Sequence, residues 1–268
     1  MVKECYDSLI LDVDGVVWLE GTNIEENIRL IRKAIDEGVS VVFLTNNATR
    51  SRKIYSILLS DAIGREISVS QIVNSAFSAA EWLKRAKGPS RVFPIGEEGL
   101  IVELQLAGHL TFGITEWRYA DVVVVGLDRY ITYHKLMAAH KALTRNNAFF
   151  LITNRDPAYP VTGGTIPGAG AIVSFLETST GRKVDHNAGK PGEWILKLAL
   201  EHAGRPENPL LVGDRLDIDI VMGLKAGIDS MLVLTGVTKK PPESSMGYMV
   251  AKDLYSAYEK GIIRFCKR

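Results

Sequence analysis

Cysteine is scarce in this chain. The 268 residues contain two, Cys5 and Cys266, at opposite ends and with neither C-x-x-C nor metal-ligand spacing. That pattern predicts no disulfide framework and no cysteine-held zinc, and it suits a reducing cytoplasm. Net charge is nearly absent as well. The 32 Lys and Arg set against 31 Asp and Glu leave +1, which excludes a broad basic footprint for nucleic acid and requires a charged substrate to be met locally. The apolar stretch Leu9 to Leu19 is broken by Asp12 and Asp14 and lacks a small-residue cleavage site, so it reads as neither membrane span nor signal peptide. Without a secretion signal, Asn47-Ala48-Thr49 matches the glycosylation pattern by letters alone. Low-complexity tracts and fixed-period repeats are missing too. What remains is ordinary for a folded, enzyme-sized protein, with 46% apolar and 24% charged residues.

The chain opens with alternating strand and helix patterns. Ser8 to Leu11 is a short apolar run ending in a turn-like Asp-Gly. Ile24, Ile28, Ile31 and Ile35 follow at helical spacing, stopped by Gly38, and then come the β-type run Val41 to Leu44 and a helix over Arg52 to Ser60. The alternation returns late, with a helix over Glu193 to His202, the run Pro209 to Val212, a helix through Ile220 and Leu224, and Met231 to Leu234. Such a pattern predicts a parallel sheet covered by helices on both faces, with ligands beyond the carboxyl ends of the strands. Asp12-Val13-Asp14, Thr45-Asn46 and Gly213-Asp214 all fall there. Between about Ala76 and Val184 lie further strands (Arg91 to Ile95, Val122 to Val125, Phe149 to Thr153) and helices (Ala79 to Arg85, Tyr133 to Leu143), enough for a second small domain. Val161 to Gly170 reads as a loop of that domain.

Two carboxylates closing an apolar strand are costly unless a cation, hydrogen bonds or solvent compensate. An Asx-type turn at Asp14-Gly15 is the plain structural explanation. Gly213-Asp214 repeats the arrangement, and Asp217 and Asp219 follow at the opening of the next helix, where acidic groups also suit the helix dipole. Carboxylates converging from two strand ends repel one another, and a hard divalent cation with oxygen ligands, magnesium above all, resolves the conflict. A carboxylate attacking a phosphate dianion needs that metal and cationic or N–H donors to offset repulsion. Thr45 and Asn46, at a strand-to-helix junction, and Lys190, in Gly189-Lys190-Pro191, are candidate donors.

Asp-x-Asp-Gly, strand-Thr-Asn, Gly-Lys-Pro and Gly-Asp with a later Asp occur in that order, each in its strand context. In this conjunction the chain resembles the haloacid dehalogenase superfamily, and within it the p-nitrophenyl phosphatase and phosphoglycolate phosphatase branch. The matching segments are Leu9 to Val16, Phe43 to Asn47, Pro167 to Gly170, Ala188 to Pro191 and Val212 to Arg215. The resemblance implies an α/β protein with a Rossmann-like parallel-sheet core, 1–76 and 185–268, interrupted by an inserted α/β cap, 77–184. It further implies a magnesium-dependent phosphatase of small phosphorylated metabolites, working through an aspartyl-phosphate on Asp12. Asp14 would be the acid and later the base. Asp12, the backbone carbonyl of Asp14 and Asp214 would hold Mg2+, and Asp219 would steady its water shell. Thr45, Asn46 and Lys190 would bind the phosphoryl group, Lys190 also orienting Asp12. Asp14 favours phosphoryl chemistry, since the superfamily's dehalogenases lack that second Asp and need no metal. The branch also implies a homodimer.

One departure is Ile218, where this branch usually carries Thr before Asp219. Asp217 reads as a solvated helix-start residue. In the cap, Arg155 and Asp156 are candidate contacts to the leaving group, with turn chemistry at Asp156-Pro157 as the plainer reading. His186 reads as a linker residue, and His134 and His140 as structural. Gly168-Ala169-Gly170 fails the dinucleotide fingerprint because Val173 stands where Gly or Ala is needed, and a Walker loop is absent. The alternatives are a phosphotransferase or phosphomutase using the same Asp12, and a non-catalytic phosphate-ligand sensor on the same fold.

Overall fold

A computed structural model describes residues 3–161, 163–241 and 247–266. The chain divides into two compact units. The first comprises Met1–Thr45, Tyr55–Val73 and Ile195–Arg268, the second Asn46–Ile54 and Asn74–Trp194.

The first unit is built on a six-stranded sheet. Across it lie Met249–Ala251, Asp229–Val233, Pro209–Gly213, Ser8–Leu11, Ser40–Thr45 and Ile72–Asn74. Numbered along the chain this is the order 3-2-1-4-5-6, the doubly wound arrangement in which direction reverses between the first and fourth strands. The pairings from Met249–Ala251 across to Ser40–Thr45 are parallel, with Leu11 opposite both Val212 and Phe43. The central strands are buried on both faces, as continuous apolar runs require. Leu9, Leu11, Val41, Phe43 and Val212 pack with Ile28, Leu30 and Ile31 of the helix Glu25–Asp36 and with Tyr55, Leu59 and Ile63 of the helix Arg52–Ile63.

The second unit repeats the theme at smaller scale. Leu110–Thr111, Arg91–Ile95, Val122–Val125, Phe149–Ile152 and His186–Asn187 form a parallel sheet of order 2-1-3-4-5. Successive residues of one strand supply opposite faces. Val123 and Val125 join Phe93, Ile95, Phe150 and Ile152 against the helices Tyr133–Arg145 and Ala169–Thr180. Val122 and Val124 join Val92 and Leu151 against Ser75–Lys87 and Glu98–Leu106. The α/β reading of the sequence therefore holds in both units.

Three expectations are corrected. Cys5 and Cys266, far apart in sequence, are joined by a disulfide. The reason is the bridge between Tyr6 and Phe265, in which the Tyr6 N–H donates to Arg264 O (2.8 Å) and the Cys266 N–H to Tyr6 O (3.0 Å), bringing the two ends together. The expected loop Val161 to Gly170 contains a strand: Gly164–Pro167 pairs antiparallel with Ala158–Val161. Gly163 and Gly164, both at positive φ, supply the turn; Thr162 lies outside the described residues. His186 is not in a linker. It pairs with Leu151 at the edge of the second sheet and stacks on Trp82, ring centroids 4.0 Å apart. Among the described residues no helix is long and apolar enough to cross a membrane.

Candidate active site

In the first unit the chemistry gathers where the winding reverses. Asp12 continues the strand Ser8–Leu11, its N–H donating to Val212 O at 2.9 Å, and Asp214 follows Gly213 on the neighbouring strand. Asp12, Asp214 and Asp219 are all buried, and each offers a carboxylate oxygen within 4.8 Å of the others. Three buried acids at that spacing are a hard-oxygen donor set suited to a divalent cation, and without one their mutual repulsion would be severe. The residues present therefore fit magnesium. Thr45, buried at the end of the strand Ser40–Thr45, stands on the other side of the Asp12 strand.

Backbone groups hold Asp214 and Asp219. The Val237 N–H donates to Asp214 Oδ2 at 2.5 Å and the Thr238 N–H to Asp214 O at 3.2 Å. Gly15 and Gly236 press on the same carboxylate so closely that a Cβ on either would collide with it. Gly15 also has φ +91°, which only glycine adopts easily. A Cβ on Gly213 would strike the Asp219 side chain. Asp219 Oδ2 accepts from the Arg215 N–H (3.2 Å) at the start of a π-type turn, Leu216–Ile220, that leads into the helix Val221–Ala226. Ile218 is buried in that turn. Asp217 points out, its carboxyl held below the usual range by the hydrogen-bonded Arg215 guanidinium at 2.7 Å. Asp14 is partly buried, and its Oδ1 accepts from Trp18 Nε1 at 3.0 Å.

Several supporting residues escaped the sequence analysis. Asn27 is fully buried on the helix Glu25–Asp36. Its amide donates to Val16 O (2.8 Å) and Thr235 Oγ1 (3.3 Å), while its oxygen accepts from the Leu254 N–H (2.7 Å). Thr235 in turn donates to Gly15 O at 2.6 Å. The loop carrying Asp14 and Gly15 is thereby tied to the Thr235-Gly236 segment. The signals were present: an Asn on the apolar stripe of a helix, and a Thr-Gly just past a strand end, as with Thr45-Asn46.

The second unit gathers another set of expected residues. Asn46 Oδ1 accepts from the Lys190 N–H (2.8 Å), and its amide donates to Asp156 Oδ2 (2.9 Å) and Lys190 O (3.3 Å). Its own carbonyl accepts from Ser75 Oγ (2.5 Å) and Asn154 Nδ2 (2.9 Å). Gly189 is required beside it, since a Cβ there would meet Thr153 O and Asn46 Oδ1. Lys190, a candidate donor from the sequence, is buried. Arg155 stands apart from this cluster, its guanidinium gripped by Glu177 through two hydrogen bonds of 2.9 and 3.1 Å.

Comparison with known proteins bears on this arrangement. Residues 9–109 match the model of the haloacid dehalogenase-like hydrolases, and 187–257 a second model of HAD-hydrolase-like proteins. The chain is 37% identical to the 5'-nucleotidase YutF of Bacillus subtilis, over 88% of this chain and 90% of that protein. It is 34% identical to phosphoglycolate phosphatase 2 of Arabidopsis thaliana, over 96% and 92% respectively. Among solved structures, a p-nitrophenyl phosphatase from Archaeoglobus fulgidus superposes with a TM-score of 0.85 at 33% identity, covering 96% of this chain and 99% of that one. A glycerol phosphate phosphatase from Mycobacterium tuberculosis in complex with magnesium gives 0.83 at 31% identity, covering 94% and 76%.

Proposed function

This chain belongs to the haloacid dehalogenase-like hydrolases, and from that premise we propose that it is a magnesium-dependent phosphatase of small phosphomonoesters. The observation that carries the proposal is the buried triad Asp12, Asp214 and Asp219 at the reversal point of the sheet. Phosphatase names among relatives covering nearly the whole chain support it.

In this reading the Asp12 carboxylate attacks phosphorus. The P–O bond to the leaving group breaks, and an aspartyl-phosphate forms on Asp12. Asp14, oriented by Trp18, gives its proton to the departing oxygen and then takes one from the water that attacks the same phosphorus, releasing phosphate and restoring Asp12. Asp12, the carbonyl of Asp14 and Asp214 would hold Mg2+, Asp219 would steady its water shell, and the ion would offset the charge of nucleophile and phosphoryl oxygens. Thr45 supplies a hydroxyl, while Asn46 and Lys190, themselves joined by hydrogen bonds, bind the phosphoryl group. Residues 77–184 serve as the cap, where Asp156 and Arg155 are the proposed contacts to the leaving group. A homodimer belongs to the same proposal on the strength of the resemblance, and a cytoplasmic location on the scarcity of cysteine. The Cys5–Cys266 bond pulls against the second, because disulfides are uncommon in most reducing compartments.

The test is phosphate release from a panel of phosphorylated metabolites and p-nitrophenyl phosphate, with magnesium or EDTA. Turnover is expected only with the metal, and Asp12→Asn is expected to lower it at least about a thousandfold. Bound phosphate compounds without any turnover would contradict the phosphatase reading and favour the sensor or phosphotransferase.

A further inference from the structure

The second unit has a reversal point of its own. Its sheet order, 2-1-3-4-5, changes direction between the strands Arg91–Ile95 and Val122–Val125. In open sheets of this kind the crevice beyond those two carboxyl ends is where ligands bind. The segments that leave the strands are Gly96-Glu97 and Gly126-Leu127-Asp128-Arg129, and they are tied together at once, the Gly126 N–H donating to Ile95 O at 2.7 Å.

What stands there is an anchored arginine. Glu97 Oε1 accepts from Arg129 Nε (2.7 Å) and from the Arg129 backbone N–H (3.1 Å), and Oε2 accepts from Nη2 (2.7 Å). The Glu97 side chain is only 10% exposed, whereas that of Arg129 is 46% exposed. Guanidinium carries five N–H donors in a rigid fork. Glu97 occupies the Nε–Nη2 edge and so aims the Nη1 edge away from itself, and an arginine held in this manner loses little freedom when it meets an anion. Beside it, Asp128 is paired with Lys135, which holds the following loop in place.

Two arginines act on the Glu97 carboxylate. Burial opposes ionisation of Glu97, yet hydrogen bonds from Arg129 and the charges of Arg129 and Arg50 hold its carboxyl below the usual range. Arg50 is exposed. Its backbone is fixed, with its carbonyl accepting from Asn74 Nδ2 at 2.8 Å and a Cβ on Gly99 having no room against it. Arg50 lies four residues after Asn46 on the same segment. On the same segment the Asn47 amide donates to Tyr159 OH at 3.0 Å.

We propose that Arg129, anchored by Glu97 and assisted by Arg50, binds a second anionic group carried by the leaving group of the phosphomonoester. The substrate class is thus a phosphorylated acid or a bisphosphate rather than an ester of a neutral alcohol. This rests on the phosphatase reading above, in which Asn46 and Lys190 hold the phosphoryl end.

The test compares kcat/KM of wild type, Arg129→Gln and Arg129→Lys, with magnesium, on three esters. Phosphoglycolate adds a carboxylate, glucose 1,6-bisphosphate adds a phosphate, and p-nitrophenyl phosphate adds neither. Arg129→Gln is expected to lower the ratio of kcat/KM for an anionic ester to that for p-nitrophenyl phosphate on the order of tenfold, mainly through KM, with Arg129→Lys recovering part of it. Whichever anionic ester shows the change identifies the second group as carboxylate or phosphate. Ratios unchanged for both anionic esters overturn the proposal, whatever happens to the absolute rates. If wild type hydrolyses no ester, the phosphatase reading has failed, and calorimetric binding then decides. A loss of affinity for one anionic ester in Arg129→Gln supports the arginine's role, and equal or absent binding in both proteins overturns it.

Discussion

At the scale of single residues, the site depends on atoms that are missing as much as on those present. Asp214 can sit where it does because Gly15 and Gly236 leave its carboxylate room. Gly236→Ala is expected to push the Asp214 carboxylate out of the triad, weakening magnesium binding and lowering kcat/KM by about a hundredfold, the scale of an ångström's misplacement in a catalytic group. Kinetics together with the magnesium-induced rise in melting temperature would check this, and a variant matching wild type in both would contradict it. The acids themselves were legible in the sequence, because carboxylates at the end of an apolar strand are costly and invite explanation. Gly236 and Thr235 were not. Their importance lies in what they touch across more than 200 residues of chain, as in the Thr235 hydroxyl bound to Gly15 O.

At the scale of elements, short apolar runs identified the central strands in both sheets, while edges and connections were harder to read. Leu110–Thr111 and His186–Asn187 are two-residue strands at the edges of the second sheet, too short to carry a period. The hairpin Ala158–Val161 with Gly164–Pro167 looks loop-like because its strands contain Pro160 and Pro167 and its turn is glycine-rich. His186 exemplifies an element's effect on a side chain. Its ring stacks on Trp82 and its Nε2 is buried without a hydrogen-bond partner, so burial lowers its pKa below the ordinary 6.5. The unfolded chain therefore binds a proton that the folded one resists. Stability from this residue is complete above about pH 6.5 and declines as pH falls from there toward the depressed folded value. His186→Phe, which keeps an aromatic ring beside Trp82, is expected to flatten the acid-side fall in melting temperature. An unchanged slope would count against this assignment.

At the scale of the whole molecule, the order of sequence clusters carried most of the information. Asp12 and Asp214 lie on the first and fourth strands of a 3-2-1-4-5-6 sheet, so the winding rule alone makes them neighbours although the second unit's sequence largely separates them. The same rule applied to the second unit leads to Arg129, which no spacing pattern had singled out. The joining of Cys5 to Cys266 was invisible for the opposite reason, since only the meeting of the two chain ends at Tyr6 and Phe265 brings them together. The central claim concerns one covalent bond, and it can be tested at that bond. The enzyme is mixed with p-nitrophenyl phosphate and magnesium, quenched during turnover, reduced with borohydride and mapped by peptide mass spectrometry. An aspartyl-phosphate on Asp12 predicts homoserine at position 12 in wild type and none without substrate. Turnover accompanied by reduction at a different aspartate would contradict the account.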